Sequence, residues 1–196
     1  MAEPNPEELV DLGMLSYDKQ DFSKARKYFE RACGLNNGRG CNNLGVLYRD
    51  GQGVEKNLTK AAQFYSKACD LNNGSGCNNL GDLYQNGEGI EKNLTKAAQF
   101  YSKACDLNNN KGCFNLGALY QNGQGVEKDL IKVAYFYTKA CDLKDGSGCF
   151  NLGELYLEKD SKKAVALFEK SCDLNISRGC GALGVLYYNG QGVEKT

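Results

Sequence analysis

The placement of ten cysteines constrains this chain more than any other feature of its 196 residues. They fall into five pairs, each enclosing seven residues: Cys33 and Cys41, Cys69 and Cys77, Cys105 and Cys113, Cys141 and Cys149, Cys172 and Cys180. The enclosing words are nearly the same each time: CGLNNGRGC, CDLNNGSGC, CDLNNNKGC, CDLKDGSGC and CDLNISRGC. Cysteine spaced this regularly marks one structural joint used five times.

The stretches between the joints repeat as well. Residues 42–77 and 78–113 are identical at 29 of 36 positions, and the 36-residue step continues to Cys141. From Cys141 to Cys172 the step shortens to 31 residues, because EKDS replaces the longer GQGVEKD. A tandem unit of this size holds one helical hairpin, so the expected fold is all-α, a right-handed αα-superhelix of about eleven helices. In NNLGVLYRDG, Leu44, Leu47 and Tyr48 share one helical face with Gly45, where a missing β-carbon lets a neighbouring helix approach closely. Gly51 is placed to end this helix A, and GQGVEKN follows as a loop. Asn57 then caps helix B, whose apolar row is Leu58, Ala61, Tyr65 and Ala68. The spacing predicts helix A at 6–18, 41–50, 77–86, 113–122, 149–158 and 180–189, and helix B at 22–35, 58–71, 94–107, 130–143 and 161–174. The repeat units are expected at 5–40, 41–76, 77–112, 113–148 and 149–179, with a half unit at 180–196, in one solenoid domain spanning 1–196. The sequence stops at Val193–Thr196, where a sixth helix B is expected to begin; either the chain is cut short there, or another molecule is expected to cover the last helix A.

Each joint puts one cysteine in the last turn of helix B and the other near the start of the next helix A. Antiparallel helices joined by a short turn bring such positions to the ~5–6 Å Cα separation that a disulfide requires. Five local bridges are expected, each worth roughly 2.5 kcal/mol in the chain-entropy account. Buried free thiols, packed as small apolar groups, are the alternative. Structural bridges place the chain in an oxidising compartment, secreted or periplasmic. The opening MAEPNPEEL has no apolar core of a signal peptide and reads as a mature N-terminus or a cytosolic start; the cysteines favour the former.

Composition removes several classes of function. With 24 basic and 24 acidic residues and no basic run, the chain lacks the electrostatic footprint of a nucleic-acid binder. There is no histidine, which excludes His-dependent triads and His-ligated zinc; CxxC spacing is also missing, so no metal and no cofactor is expected. No apolar run approaches the ~20 residues of a membrane-spanning helix. The loops GQGVEK at Gly51–Lys56, Gly123–Lys128 and Gly190–Lys195 lack the strand and the GK[ST] ending of a phosphate loop. Asn57, Asn93 and Asn175 stand in glycosylation sequons, but Asn57 and Asn93 read more simply as helix caps.

The unit CNNLGDLYQNGEGIEKNLTKAAQFYSKACDLNNNKGC resembles the Sel1-like repeat, an αα-solenoid related to tetratricopeptide repeats, over practically the whole chain. Where typical Sel1-like repeats carry Ala, this chain carries its paired Cys, and that replacement resembles the Helicobacter cysteine-rich protein subfamily. The resemblance implies a secreted, disulfide-bridged protein that binds penicillin, hydrolyses β-lactams weakly and interacts with host cells. It implies a β-lactam or peptidoglycan-like small molecule as one ligand and a host-derived protein or peptide as another. It places no catalytic residue. Ser16 and Lys19 fit the S-x-x-K spacing of serine β-lactamases, but SDN and KTG elements are missing, so Ser16 is not expected to be a nucleophile.

Binding is the reading the repeats favour. In such a solenoid the A helices line the concave surface and equivalent residues stack along it. Asn43, Asn79, Asn115 and Asn151 form one such row, whose amides can pair with the backbone of an extended peptide regardless of its sequence. Solvated polar helix starts are the plain alternative. At neighbouring variable positions apolar character rises toward the C-terminal half, making Phe114, Phe150, Leu157 and Tyr188 candidate anchors for a partner unless neighbouring helices cover them. The rows Leu44/Leu80/Leu116/Leu152 and Tyr48/Tyr84/Tyr120/Tyr156 are expected in the core.

Overall fold

A computed structural model describes residues 5–190, and among them the chain forms eleven α-helices and no strand. Two compact units meet the chain on either side of the Leu107–Asn108 bond. The first contains α1 (Pro6–Asp18), α2 (Phe22–Gly34), α3 (Gly38–Asp50), α4 (Leu58–Asp70), α5 (Gly74–Asn86) and α6 (Leu94–Asp106). The second contains α7 (Asn110–Asn122), α8 (Leu130–Asp142), α9 (Gly146–Tyr156), α10 (Ser161–Asp173) and α11 (Ser177–Tyr188). Odd-numbered helices are the A helices and even-numbered ones the B helices. Within each unit every A helix packs on the B helix that follows it, and every B helix on the next A. This is the expected αα-solenoid stacking. The calls that fall on residues 191–196, including the last GQGVEK loop, lie outside the described residues.

The turn from B to A is shorter than the sequence suggests. In CDLNNGSGC, Leu71 is the C-cap of α4, Asn72 turns the chain with φ 58°, and Asn73 already caps α5. The Asn73 side-chain oxygen accepts the Gly76 backbone N–H at 2.8 Å, which satisfies one of the open donors of the first turn. Helix A therefore begins three residues before the expected start, at Gly38, Gly74 and Asn110, and likewise at Gly146 and Ser177. Glycine in a first helical turn argues against helix by propensity, but packing demands it here. A β-carbon at Gly76 would press on the Ala68 methyl at 2.5 Å, and one at Gly148 on Ala140 at 2.8 Å. At its other end α9 stops at Tyr156, two residues short of the expected end, where a shortened loop replaces the left-handed glycine cap of α3, α5 and α7.

The cores follow the repeat. In the first unit Leu9, Val10, Ala25, Phe29, Leu44, Leu47 and Ala68 form one cluster, and Ala61, Tyr65, Leu80 and Leu83 another. In the second, Val133, Tyr137 and Leu152 pack together, as do Phe150, Phe168 and Leu186. The Tyr48, Tyr84 and Tyr120 rings are half-buried and stack on Phe64, Phe100 and Phe136 at 5.4 to 5.6 Å. A lysine ammonium lies over each from the first turn of helix B (Lys60, Lys96, Lys132).

The disulfides form as the spacing predicts. Cys33–Cys41, Cys69–Cys77, Cys141–Cys149 and Cys172–Cys180 are bridged at Cα separations of 4.5 to 4.6 Å. Cys105 and Cys113 are also disulfide-bonded, and no described cysteine is free. Eight of the ten cysteines are buried; Cys172 is half-buried and Cys180 exposed.

Candidate functional site

The A helices of the first unit carry a linked set of amides. Asn79 of α5 donates from Nδ2 to Asn42 Oδ1 of α3 at 2.9 Å, tying neighbouring A helices together one repeat apart. Asn42 reaches Asn43 Oδ1 at 3.4 Å, and Asn43 Nδ2 faces the Met14 sulfur of α1 at 3.4 Å. All three asparagines are half-buried. A side-chain amide offers two N–H donors and a carbonyl acceptor, so each has hydrogen-bonding capacity beyond these contacts. Beside them, Met14, Tyr17, Phe29, Asn43 and Val46 line a small pocket of about 170 Å³ whose walls are mostly apolar.

A second hydrogen-bonded group joins α5 and α6. Tyr101 of α6 is buried, and its hydroxyl stands 2.7 Å from Asp82 Oδ1 and 2.6 Å from Gln85 Oε1. A phenol has one proton. It donates to the carboxylate, and the Gln85 amide is satisfied by turning its N–H toward the phenol oxygen. Asn78 Nδ2 holds the other Asp82 oxygen at 3.2 Å. Burial first, and the adjacent Asp82 charge second, push the Tyr101 phenol well above its ordinary range.

One repeat earlier the same positions behave differently. Val46 replaces Asp82, and Arg49 replaces Gln85. Arg49 turns instead to Asp50, with Nε and Nη2 donating to its two carboxylate oxygens at 2.7 and 2.9 Å. That fork raises the guanidinium and holds Asp50 below the usual carboxylate range. The buried Tyr65 hydroxyl consequently has no hydrogen-bond partner, and burial pushes its phenol up to about 12.

In the second unit Asn115 and Asn151 are both half-buried on α7 and α9. Tyr137 donates to Gln121 Oε1 at 2.6 Å and is bonded by the Asn151 side chain, so Asn151 rests on a helix B phenol. The apolar candidates part company. Phe114 is half-buried and stacks on Tyr137 at 5.7 Å. Phe150 is buried, tilted against Phe168 at 5.5 Å with the Arg178 guanidinium over its ring, so the Phe150 ring is a core group and presents no exposed anchor. Leu157 is 39% exposed at the end of α9, and Tyr188 is 92% exposed on α11.

Sequence reasoning missed Asp82, Gln85 and the phenols that reach them. The available signal was the replacement of an apolar residue by Asp82 inside a unit otherwise almost identical to its neighbour. Ser16, the S-x-x-K candidate, is buried and donates its hydroxyl to the Leu12 carbonyl of its own helix at 2.9 Å.

Comparison with known proteins agrees with this layout. The Sel1 repeat model matches residues 38–73, 74–109, 110–145, 146–176 and 177–195, and a tetratricopeptide repeat model matches 9–39. The matched Sel1 units begin where the A helices begin. HcpC of Helicobacter pylori is 64% identical over 58 residues, 30% of this chain and 20% of that protein. The chain thus matches only about a fifth of the length of the curated relatives, several of which carry beta-lactamase in their names. The structure of Helicobacter pylori cysteine rich protein B is 43% identical with a TM-score of 0.55, covering 66% of this chain and 92% of that one. A Sel1 repeat protein from Oxalobacter formigenes is 28% identical with a TM-score of 0.87, covering 95% of this chain and 78% of that one. With five units matched and its cysteines bridged across every B-to-A joint, the chain belongs to the Sel1 repeat family, in the cysteine-rich branch known from Helicobacter.

Proposed function

We propose that this chain is an extracytoplasmic scaffold that binds protein partners through extended peptide segments, laid on the A helices of each unit. Asn43 and Asn79 are the contacts proposed for the first unit, Asn115 and Asn151 for the second, with Phe114, Leu157 and Tyr188 as apolar contacts. The observation that carries the reading is the Asn79-to-Asn42 bond at 2.9 Å between adjacent A helices. It fixes the amides in orientation before any ligand arrives, which lowers the ordering cost of binding. Amides set one repeat apart suit a peptide main chain, which presents donors and acceptors at regular intervals. The bridges support the compartment, since cysteine pairs persist oxidised outside the cytosol. No helix among the described residues is long and apolar enough to cross a membrane. A host-derived partner remains part of this proposal, by likeness to the Helicobacter proteins.

The test is a random-peptide array probed with the protein, followed by titration of the selected peptides. The Asn43→Ala/Asn79→Ala variant is expected to weaken them by about ten-fold or more, as loss of two peptide hydrogen bonds requires. Unchanged affinity would remove the asparagines from the site.

A second reading, binding or slow hydrolysis of a β-lactam, is supported by the names of the curated relatives. Ser16 and Lys19 line one open pocket with Leu12, Leu15, Lys24 and Tyr28. The Ser16 hydroxyl is engaged by its own helix. A nitrocefin assay on wild type and Ser16→Ala decides: turnover lost in the variant would establish a serine enzyme, and equal rates would exclude Ser16.

A further inference from the structure

We infer that the apolar pocket beside Asn43 takes one Leu, Met or Phe side chain of the bound peptide and sets its sequence preference, an inference that rests on the peptide reading proposed above. Amides that pair with a main chain read no sequence. The pocket supplies what they lack.

The repeats define which residues stand at the same place. In each hairpin of the first unit a helix B ring lies against a helix A glycine: Phe29 on Gly13, Tyr65 on Gly45 and Tyr101 on Gly81. The residue after that glycine is Met14, Val46 or Asp82, and the fourth after it is Tyr17, Arg49 or Gln85. At the step from α1 to α3, the pocket gathers Met14, Tyr17, Phe29 and Val46 around Asn43, with no charged group. At the step from α3 to α5, the same places hold Val46, Arg49, Tyr65 and Asp82. That second step brings a cation, a phenol and a carboxylate where the first brings a thioether, a phenyl ring and an isopropyl group. Of the two, only the first suits an apolar group.

The walls are held before a ligand arrives. The Tyr17 hydroxyl donates to Gln52 Oε1 at 2.9 Å, and its ring meets Phe22 edge-on at 5.2 Å. Phe29 is buried, and Met14 is the adaptable wall, since an unbranched thioether adjusts to what it packs against. The volume of about 170 Å³ sets the size of the occupant, because an apolar cavity of about 150 Å³ holds benzene. A Lys or Asp side chain would lose its water there with no opposite charge to meet it. Asn43 joins the two kinds of recognition. Its Nδ2 donates at 3.4 Å to the Met14 sulfur, a weak acceptor that a peptide carbonyl readily replaces. A side chain seated in the pocket thus brings its own peptide group to the same asparagine.

The test uses peptides that wild type selects from the random array. They are expected to share one Leu, Met or Phe, whose replacement by Ala weakens binding by about ten-fold or more. Val46→Asp gives α3 the residue that α5 carries as Asp82, so its circular dichroism is expected to match wild type. That variant should bind the parent peptide and the Ala peptide alike. Equal losses on wild type and Val46→Asp, or selected peptides with no shared apolar residue, would overturn the inference. If Asn43→Ala/Asn79→Ala still weakens those peptides, the main-chain reading survives without the pocket. Coupling to Val46 with the asparagine variant neutral would keep the pocket and remove the row, and an array that selects nothing would sink both. A dimer of the chain alone that Val46→Asp dissolves would also overturn it, because the pocket would then hold a second copy.

Discussion

At the scale of single residues, two glycines with the same sequence surroundings have opposite tolerances. Gly81 faces the Tyr101 ring, whereas Gly184 faces open space. Gly81→Leu is expected to lower stability by about 1–3 kcal/mol or more through overpacking, and Gly184→Leu to leave it unchanged. Denaturant midpoints of the two variants check this; a neutral Gly81→Leu would mean that the ring does not need the glycine. The tyrosines make a second test. Tyr65 is pushed up to about 12, and Tyr101 is raised as well, chiefly by burial. Both stay protonated in the fold where the same phenols ionise near 10.0 in an unfolded chain. The unfolded state thus loses protons first. The stability these phenols carry is complete below pH 10 and falls as the pH climbs from about 10 through about 12. A denaturation midpoint that stays level across that window would contradict their burial. The Gly45 contact could be read from the sequence because a glycine on an apolar stripe has few other uses. The Asp82–Tyr101 bond could not, because it joins residues on separate helices and depends on how far a phenol reaches across the hairpin.

Between helices, the joint repeated five times is both clamp and cap. The Asn73 amide caps α5, Asn72 takes the left-handed turn, and the flanking cysteines cross-link the two helices. Asn73→Ala should cost about 1 kcal/mol as a lost N-cap, read as a shift in Tm. The bridges themselves differ in access. Eight cysteines are buried, while the Cys172–Cys180 pair lies half-buried and exposed. Under mild reductant, alkylation followed by mass spectrometry is expected to label Cys172 and Cys180 first. Uniform labelling of all five pairs would show that unfolding, not exposure, governs reduction. Element identity was plain in the sequence because the 3.6-residue periodicity and the caps agree. The starts of the A helices were not, since Gly-Ser-Gly reads as a turn until the packing of Gly76 on Ala68 is known.

Across the whole molecule, the repeats share a backbone plan and differ in what they place on the A helices. The first unit offers linked amides and a half-buried carboxylate bonded to a buried phenol, and the second offers amides beside the half-buried Phe114 ring. The candidate row Asn43, Asn79, Asn115 and Asn151 was legible from periodicity alone. Burial of Phe150 was not, because equivalent positions hold Asn42 and Asn78, and only the α9–α10 contact shows the ring turned inward. The account stands on those asparagines meeting a peptide main chain. Its most direct measurement is a nuclear magnetic resonance titration of the labelled protein with an array-selected peptide, following the side-chain amides. The Asn43 and Asn79 signals are expected to shift and saturate together with the fastest-changing backbone signals of α3 and α5. Shifts confined to the B helices, with those two amides unmoved, would contradict it.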